Sequence, residues 1–186
     1  LPESLKQALH HFIVAKTIRL LRNHKNQHHT MLVNVSHLKN IHFKIESKLQ
    51  IELSDIKSSI AVHYMQETSE ALQEPNIKAL YSAWQTIMED QKKDPGSIDT
   101  ECFTWEEIQH RLYESTQPIE IIIVNSESDS SLGYDQYKQG RSVIALGGYS
   151  LSRGLTLEGL SCSYIQRKTQ QRDTLLQMGR WFGYRD

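Results

Sequence analysis

Two apolar runs, IEIIIV at 119–124 and VIAL at 143–146, constrain this chain more than any other feature of it. Short runs rich in β-branched residues, with little polar alternation, are typical of parallel strands buried on both faces. MLVNV, from Met31 to Val35, has the same character, and a further short strand is expected at Cys162 to Gln166. The segments between these runs carry helical periodicity. Strands alternating with helices define an α/β fold with a mostly parallel sheet, in which ligands bind in the loops at the C-terminal ends of the strands.

The helices can be placed by their apolar stripes and caps. Leu5, Leu9, Phe12, Ile13 and Leu20 recur at helical offsets behind a possible cap at Ser4, which predicts a first helix over 4–22, broken by NHKNQHHT. Helices are also expected over 54–73 and 75–91. In the second, Pro75 suits a first helical position, and Ile77, Leu80, Tyr81, Trp84, Ile87 and Met88 make one stripe. Thr104-Trp-Glu-Glu107 is a capping box opening a short helix that Pro118 ends. The expected organisation is a sheet domain of residues 1–37 and 118–186 carrying a mainly helical insertion at 38–117, with 54–115 as a packed helical subdomain.

Composition narrows the function classes. A chain of 186 residues with 38% hydrophobic and 23% charged content reads as one globular domain with an insertion. No apolar run approaches the roughly 18 residues that span a bilayer, and the N-terminus LPESLKQALHH has none of the features of a signal peptide. It reads as a piece cut from a longer chain. Cys102 and Cys162 lack the spacing of a disulfide framework or thiolate zinc site, so a reducing cytoplasm is the expected location. Charge is unevenly spread: residues 1–50 hold eight Lys/Arg against two acids, 51–140 six against seventeen, and 141–186 seven against three. Basic ends around an acidic middle suit a chain whose ends face phosphates.

Two segments carry the chemistry. GGYSLSRGLTLEGLS, from Gly147 to Ser161, directly follows a strand; its glycines allow close backbone approach, while Ser150, Ser152, Arg153 and Thr156 suit phosphate or ribose. Gly154 and Gly159 have the glycine spacing of GxxxxGK[ST], but Leu160 takes the lysine position, so the loop cannot act as a triphosphate cradle. DTLLQMGRWFGYR, from Asp173 to Arg185, places Arg180 and Arg185 among Gly179, Gly183 and three aromatics at the end of an expected helix. An arginine's planar fork stays charged and contacts phosphoryl oxygens bidentately.

Other titratable groups point less clearly to a site. Nuclease chemistry needs clustered carboxylates, for which Glu120, Glu127, Asp129 and Asp135 are the candidates, but no suitable lysine follows on that strand. His24, His28 and His29 fall in a polar segment with no acidic or thiolate ligand near them in sequence, and no metal site is expected.

Taken together, MLVNVS, LSRGLTLEGL and QMGRWFGYR resemble motifs IV, V (ARGxDxxG/V) and VI (QxxGRxGR) of the C-terminal RecA-like lobe of superfamily 2 helicases. More narrowly, the chain is similar to the Z1 domain, an endonuclease-type domain of bacteria and phages found in helicase-like proteins of DNA restriction or repair. The likeness runs from LPESLKQALHHFIVAKTIRLLR through IIIVNSESD to VIALGGYSLSRGLTLEGLSCSYIQR and DTLLQMGRWFGYRD. It implies a P-loop NTPase-type lobe with a helical insertion, the second motor lobe of a nucleic-acid-dependent ATPase. ATP and Mg2+ would then belong to the two-lobed protein, with none held by this chain alone. Arg180 or Arg185 would reach the phosphates, Gly154, Thr156, Gln177 and Gly179 would line the nucleotide, and Ser150, Ser152 and Arg153 would contact DNA. The implied partners are DNA, an N-terminal ATPase lobe and a restriction or repair protein. Thr156 departs from the family's aspartate, Glu158 replaces a frequent proline, and the spacing of Gln177, Arg180 and Arg185 differs from the general pattern. A metal-dependent endonuclease and a non-catalytic interaction module using the acidic insertion remain alternatives.

Overall fold

The computed structural model describes residues 1–24, 26–35, 39–93, 102–124, 132–147 and 157–166. The chain divides into two compact units, Leu1–Lys25 with Leu49–Ile119, and Asn26–Lys48 with Glu120–Asp186.

The first unit is helical. It holds α1 (Glu3–Leu21), the part of α2 (Lys39–His63) from Leu49 onward, α3 (Thr68–Ala71), α4 (Pro75–Lys93) and α5 (Trp105–Thr116). Along α1, Leu5, Leu9, Phe12, Ile13, Val14 and Ile18 are buried, and the helix packs on α4 and α5. Each fully buried side chain of this size contributes about 1.5–3 kcal/mol. The expected stripe of α4 is present, with Ile77 and Leu80 fully buried and Tyr81 and Trp84 in a ring cluster with Trp105. The capping box is formed: Thr104 Oγ1 accepts from the Glu107 N–H, and the Glu107 carboxylate accepts from the Thr104 N–H at 2.7 Å. Those bonds from the Thr104 backbone and hydroxyl hold the Glu107 carboxyl below its ordinary range.

One buried polar residue orders this unit. Gln109 is fully buried, yet its amide uses all four hydrogen-bonding positions. Nε2 donates to the carbonyls of His63 (3.2 Å) and Gln66 (2.8 Å), and Oε1 accepts from Trp105 Nε1 (3.1 Å) and Thr68 Oγ1 (3.3 Å). The end of α2, the start of α3 and the first turn of α5 are thereby tied to one side chain.

The first helix packs with α4 and α5. Two expectations change here. α2 begins at Lys39, fifteen residues before the expected start, since Ile41 and Phe43 are exposed and give no burial stripe. Ser4 does not cap α1; Pro2 holds the N-cap position without a side-chain bond.

The second unit is built on a sheet of four parallel strands, β1 (His29–Asn34), β2 (Ile119–Val124), β3 (Ser142–Gly147) and β4 (Leu160–Ile165), in the order β2-β3-β1-β4. β1 is paired on both sides, Leu32 with Ala145 of β3 and with Ser163 of β4. Every residue of β1 and β3 is buried, as expected of parallel strands covered on both faces. β2 departs from that expectation: Glu120 is exposed and Ile122 and Ile123 only partly buried, as befits a strand bonded to a neighbour on one side among the described residues.

On one face of the sheet, Leu32, Val124, Val143 and Ala145 pack with Leu132, Tyr134 and Leu157. Leu132 and Tyr134 belong to the β2–β3 connection and Leu157 to the β3–β4 connection, so both connections place side chains on this face. Both run in the same direction across the sheet, and right-handed crossovers require that they share a face. The chain leaving β1 leads the other way in the strand order, toward β2. The C-terminal ends of β1 and β3 are therefore adjacent strand ends whose connections part, which is the switch-point geometry of ligand-binding α/β sheets.

Close approach at the start of the sheet demands glycine. Gly159 has φ +63, and a Cβ there would lie 1.8 Å from the His28 carbonyl oxygen. Gly159→Ala should cost about 3 kcal/mol or more, combining a left-handed backbone with a backbone clash. Urea denaturation measures this; a loss below about 1 kcal/mol would contradict the described approach of the Gly159 turn to His28.

Candidate functional site

The two edges of the sheet differ in how their polar groups are satisfied. At the N-terminal edge nearly every polar group has a named partner. Thr30 Oγ1 donates to the Glu158 carbonyl at 2.7 Å and bonds the Tyr134 hydroxyl at 2.8 Å; burial raises the Tyr134 phenol above its ordinary range. His28 Nδ1 accepts the Arg141 backbone N–H at 3.0 Å, which places the ring hydrogen on Nε2, 3.5 Å from Glu158 Oε2. The ring also lies against Tyr134, with centroids 4.7 Å apart. Arg141 donates through Nε and Nη2 to Glu120 Oε2 at 3.2 and 2.9 Å and through Nη1 to the Leu132 carbonyl, and covers the Tyr137 ring at 4.3 Å. A network this closed holds the edge shut.

That network also settles several residues singled out from sequence. Glu158 has two parts to play, through its carbonyl and its carboxylate. An acid lies beside His28 although none is near it in sequence, because β4 returns next to β1. His29 is buried at the start of β1, where a polar surface segment was expected. Of the carboxylates, Glu120 is engaged by Arg141 and Asp135 sits exposed on a 3-10 turn at Tyr134–Gln136. Among the described residues no three His, Cys, Asp or Glu gather as metal ligands. Glu127 and Asp129 lie outside the described residues. Burial pushes the Cys162 thiol up to about 11, which makes it a poor thiolate ligand or nucleophile.

The C-terminal edge presents the opposite case. β1 ends in Asn34, which is 0% exposed, and neither Oδ1 nor Nδ2 of its amide has a hydrogen-bond partner among the described residues. Its backbone carbonyl does accept, from the Gln166 N–H at 3.0 Å beyond the end of β4. Strand alternation puts Asn34 on the face of Thr30 and Leu32, and continuing the β1–β3 register sets it opposite Gly147, the last residue of β3. The glycine-rich segment singled out from sequence departs from that glycine. The structure thus sets its origin beside a buried amide that has no partner among the described residues.

The segment's far end is also described. Leu157 is buried against Leu32 and its neighbours, and Leu160 opens β4. Gly159 therefore leads into a strand, whereas a triphosphate-cradling loop leads into a helix whose N-terminus faces the phosphates. Ser150, Ser152, Arg153, Gly154, Thr156, Gln177, Gly179, Arg180 and Arg185 lie outside the described residues.

Asn34 was not singled out from the sequence. Its only signal there was a carboxamide interrupting MLVNV, a run otherwise fit for burial.

The strand order defines an α/β domain built on a four-stranded parallel sheet, an architecture in which ligands bind at the C-terminal strand ends. The chain belongs to the Z1 domain family, whose model matches residues 4–186. No curated protein and no solved structure is detectably similar to it. No helix among the described residues is long and apolar enough to cross a membrane.

The two edges make a direct prediction. Arg141→Met removes the bonds to Glu120 and Leu132 and should cost roughly 2–4 kcal/mol of stability. Ligand affinity of the folded full-length protein should be unchanged. A variant of normal stability with weakened binding would place the site at the wrong edge.

Proposed function

We propose that this chain is the second motor lobe of a nucleic-acid-dependent, helicase-like ATPase acting in bacterial or phage DNA restriction or repair. The observation that carries the reading is the place where GGYSLSRGLTLEGL begins, at Gly147 beside the end of β1, where the strand connections diverge. The resemblance of this segment, and of QMGRWFGYR, to helicase motifs V and VI supports the same assignment.

In a motor of this kind ATP lies between two lobes, and this chain would supply only one wall. The Gly154–Leu160 segment ends in a strand without the cradle lysine. That fits a lobe that leaves the triphosphate and Mg2+ to an N-terminal partner lobe. The partner lobe would hold Mg2+, which would supply positive charge to neutralise the phosphates. The residues contributed from this side would be Gly154, Thr156, Gln177 and Gly179 along the nucleotide, with Arg180 or Arg185 aimed at the transferring phosphoryl group. Ser150, Ser152 and Arg153 would follow the DNA backbone, so that the segment between β3 and β4 couples nucleotide state to grip on the strand.

Removing an arginine aimed at the phosphoryl group costs on the order of 10³-fold in turnover while leaving nucleotide binding largely intact. In the full-length protein with DNA present, Arg180→Ala or Arg185→Ala should show that loss. Arg153→Ala should lower the slope of log affinity against log salt by about one. Wild-type ATPase rates in both arginine variants would refute the motor reading.

A further inference from the structure

The buried amide of Asn34 is unexplained by packing. The neighbouring inward-facing residues of β1 are satisfied: Leu32 by apolar contact and Thr30 by two hydrogen bonds. Asn34 shares their face and their burial, yet its side-chain donor and acceptor have no partner among the described residues. A leucine would fit such a strand position without that cost, so the carboxamide is retained against the stability of the free protein.

The chemistry of the group limits what could use it. A carboxamide presents one acceptor and one donor side by side in a fixed plane. A phosphate offers only acceptors; it would satisfy Nδ2 and leave Oδ1 unpartnered. A guanine O6/N7 edge likewise offers two acceptors and suits arginine. Adenine places a donor, its 6-amino group, beside a ring-nitrogen acceptor, and pairs bidentately with asparagine. The location agrees, since Asn34 ends the strand next to Gly147 at the switch point, where nucleotides enter parallel sheets.

We infer that Asn34 is a base-reading residue, whose carboxamide pairs with the donor–acceptor edge of an adenine when the ligand-bound state opens the end of β1 to it. This deepens the proposed function and rests on it. The adenine could belong to ATP or to a base of the bound strand, and the two sources share this chemistry.

The test uses the full-length protein and two pairs of probes. ATP is compared with purine riboside triphosphate, which lacks the 6-amino donor. A deoxyadenosine 12-mer is compared with the same strand carrying purine deoxyriboside. Leaving Oδ1 without its partner should weaken binding about tenfold to a hundredfold in one pair, which identifies the source. Asn34→Leu should abolish that discrimination and also raise Tm by about 2–4 °C, because it removes an unpaired buried amide. Equal binding within both pairs, or discrimination that persists in Asn34→Leu, overturns the inference while leaving the motor reading intact. A lowered Tm in Asn34→Leu overturns it too, since the amide would then be satisfied in the free protein. Failure to bind either ATP or the 12-mer overturns the proposed function and this inference together.

Discussion

A strand paired on both sides and covered on both faces has nowhere to put a polar side chain except at its ends, and β1 is such a strand. Its centre, Met31 to Val33, is apolar and fully buried between β3 and β4. Polar groups appear only at its margins. At the N-terminal margin the Thr30 hydroxyl is absorbed by Tyr134 and the Glu158 carbonyl. At the C-terminal margin the Asn34 amide has no hydrogen-bond partner among the described residues. The asymmetry of the whole sheet unit follows from this one strand.

The N-terminal edge depends on close backbone approach. Gly140 and Gly159, both at positive φ, bring the starts of β3 and β4 against the carbonyls of Gln27 and His28 at the entry to β1. Around that contact the His28, Glu158, Tyr134 and Arg141 side chains satisfy one another. An edge closed in this way fixes the strand register and has little left to offer a ligand. The opposite edge is where the connections separate, and there the loop with the glycine pair begins. Satisfied polar groups are concentrated at one end of the strands; at the other, where parallel α/β sheets take their ligands, the Asn34 amide has no partner among the described residues.

Much of the fold was legible in sequence because local physics decided it. The Thr104–Glu107 capping box, Pro75 at the start of α4, the Ile77–Leu80 stripe and the run at 119–124 each act through neighbours within one or two turns or along one strand. What was missed depends on distant contacts. The start of α2 carries Ile41 and Phe43 on exposed positions, so apolar periodicity gave no warning of helix. The insertion of β1 between β3 and β4 is set by pairing across the chain. The loop after VIAL could be found from its glycines. Asn34 could not, because a single carboxamide in a strand acquires meaning only when its neighbours fail to pair with it. Glu158 shows the converse, an apparent departure from a motif that acquires partners once β4 lies beside β1.

The central claim is that ligands engage this domain at the C-terminal ends of β1 and β3. Amide hydrogen exchange on the full-length protein, with and without a non-hydrolysable ATP analogue and DNA, reads that edge directly. The account predicts slowed exchange at Asn34 and Val35 and across 147–156, with His28, Arg141 and Ser142 unchanged. Protection confined to the His28–Arg141 edge, or absent from both edges while ligand is bound, would contradict it.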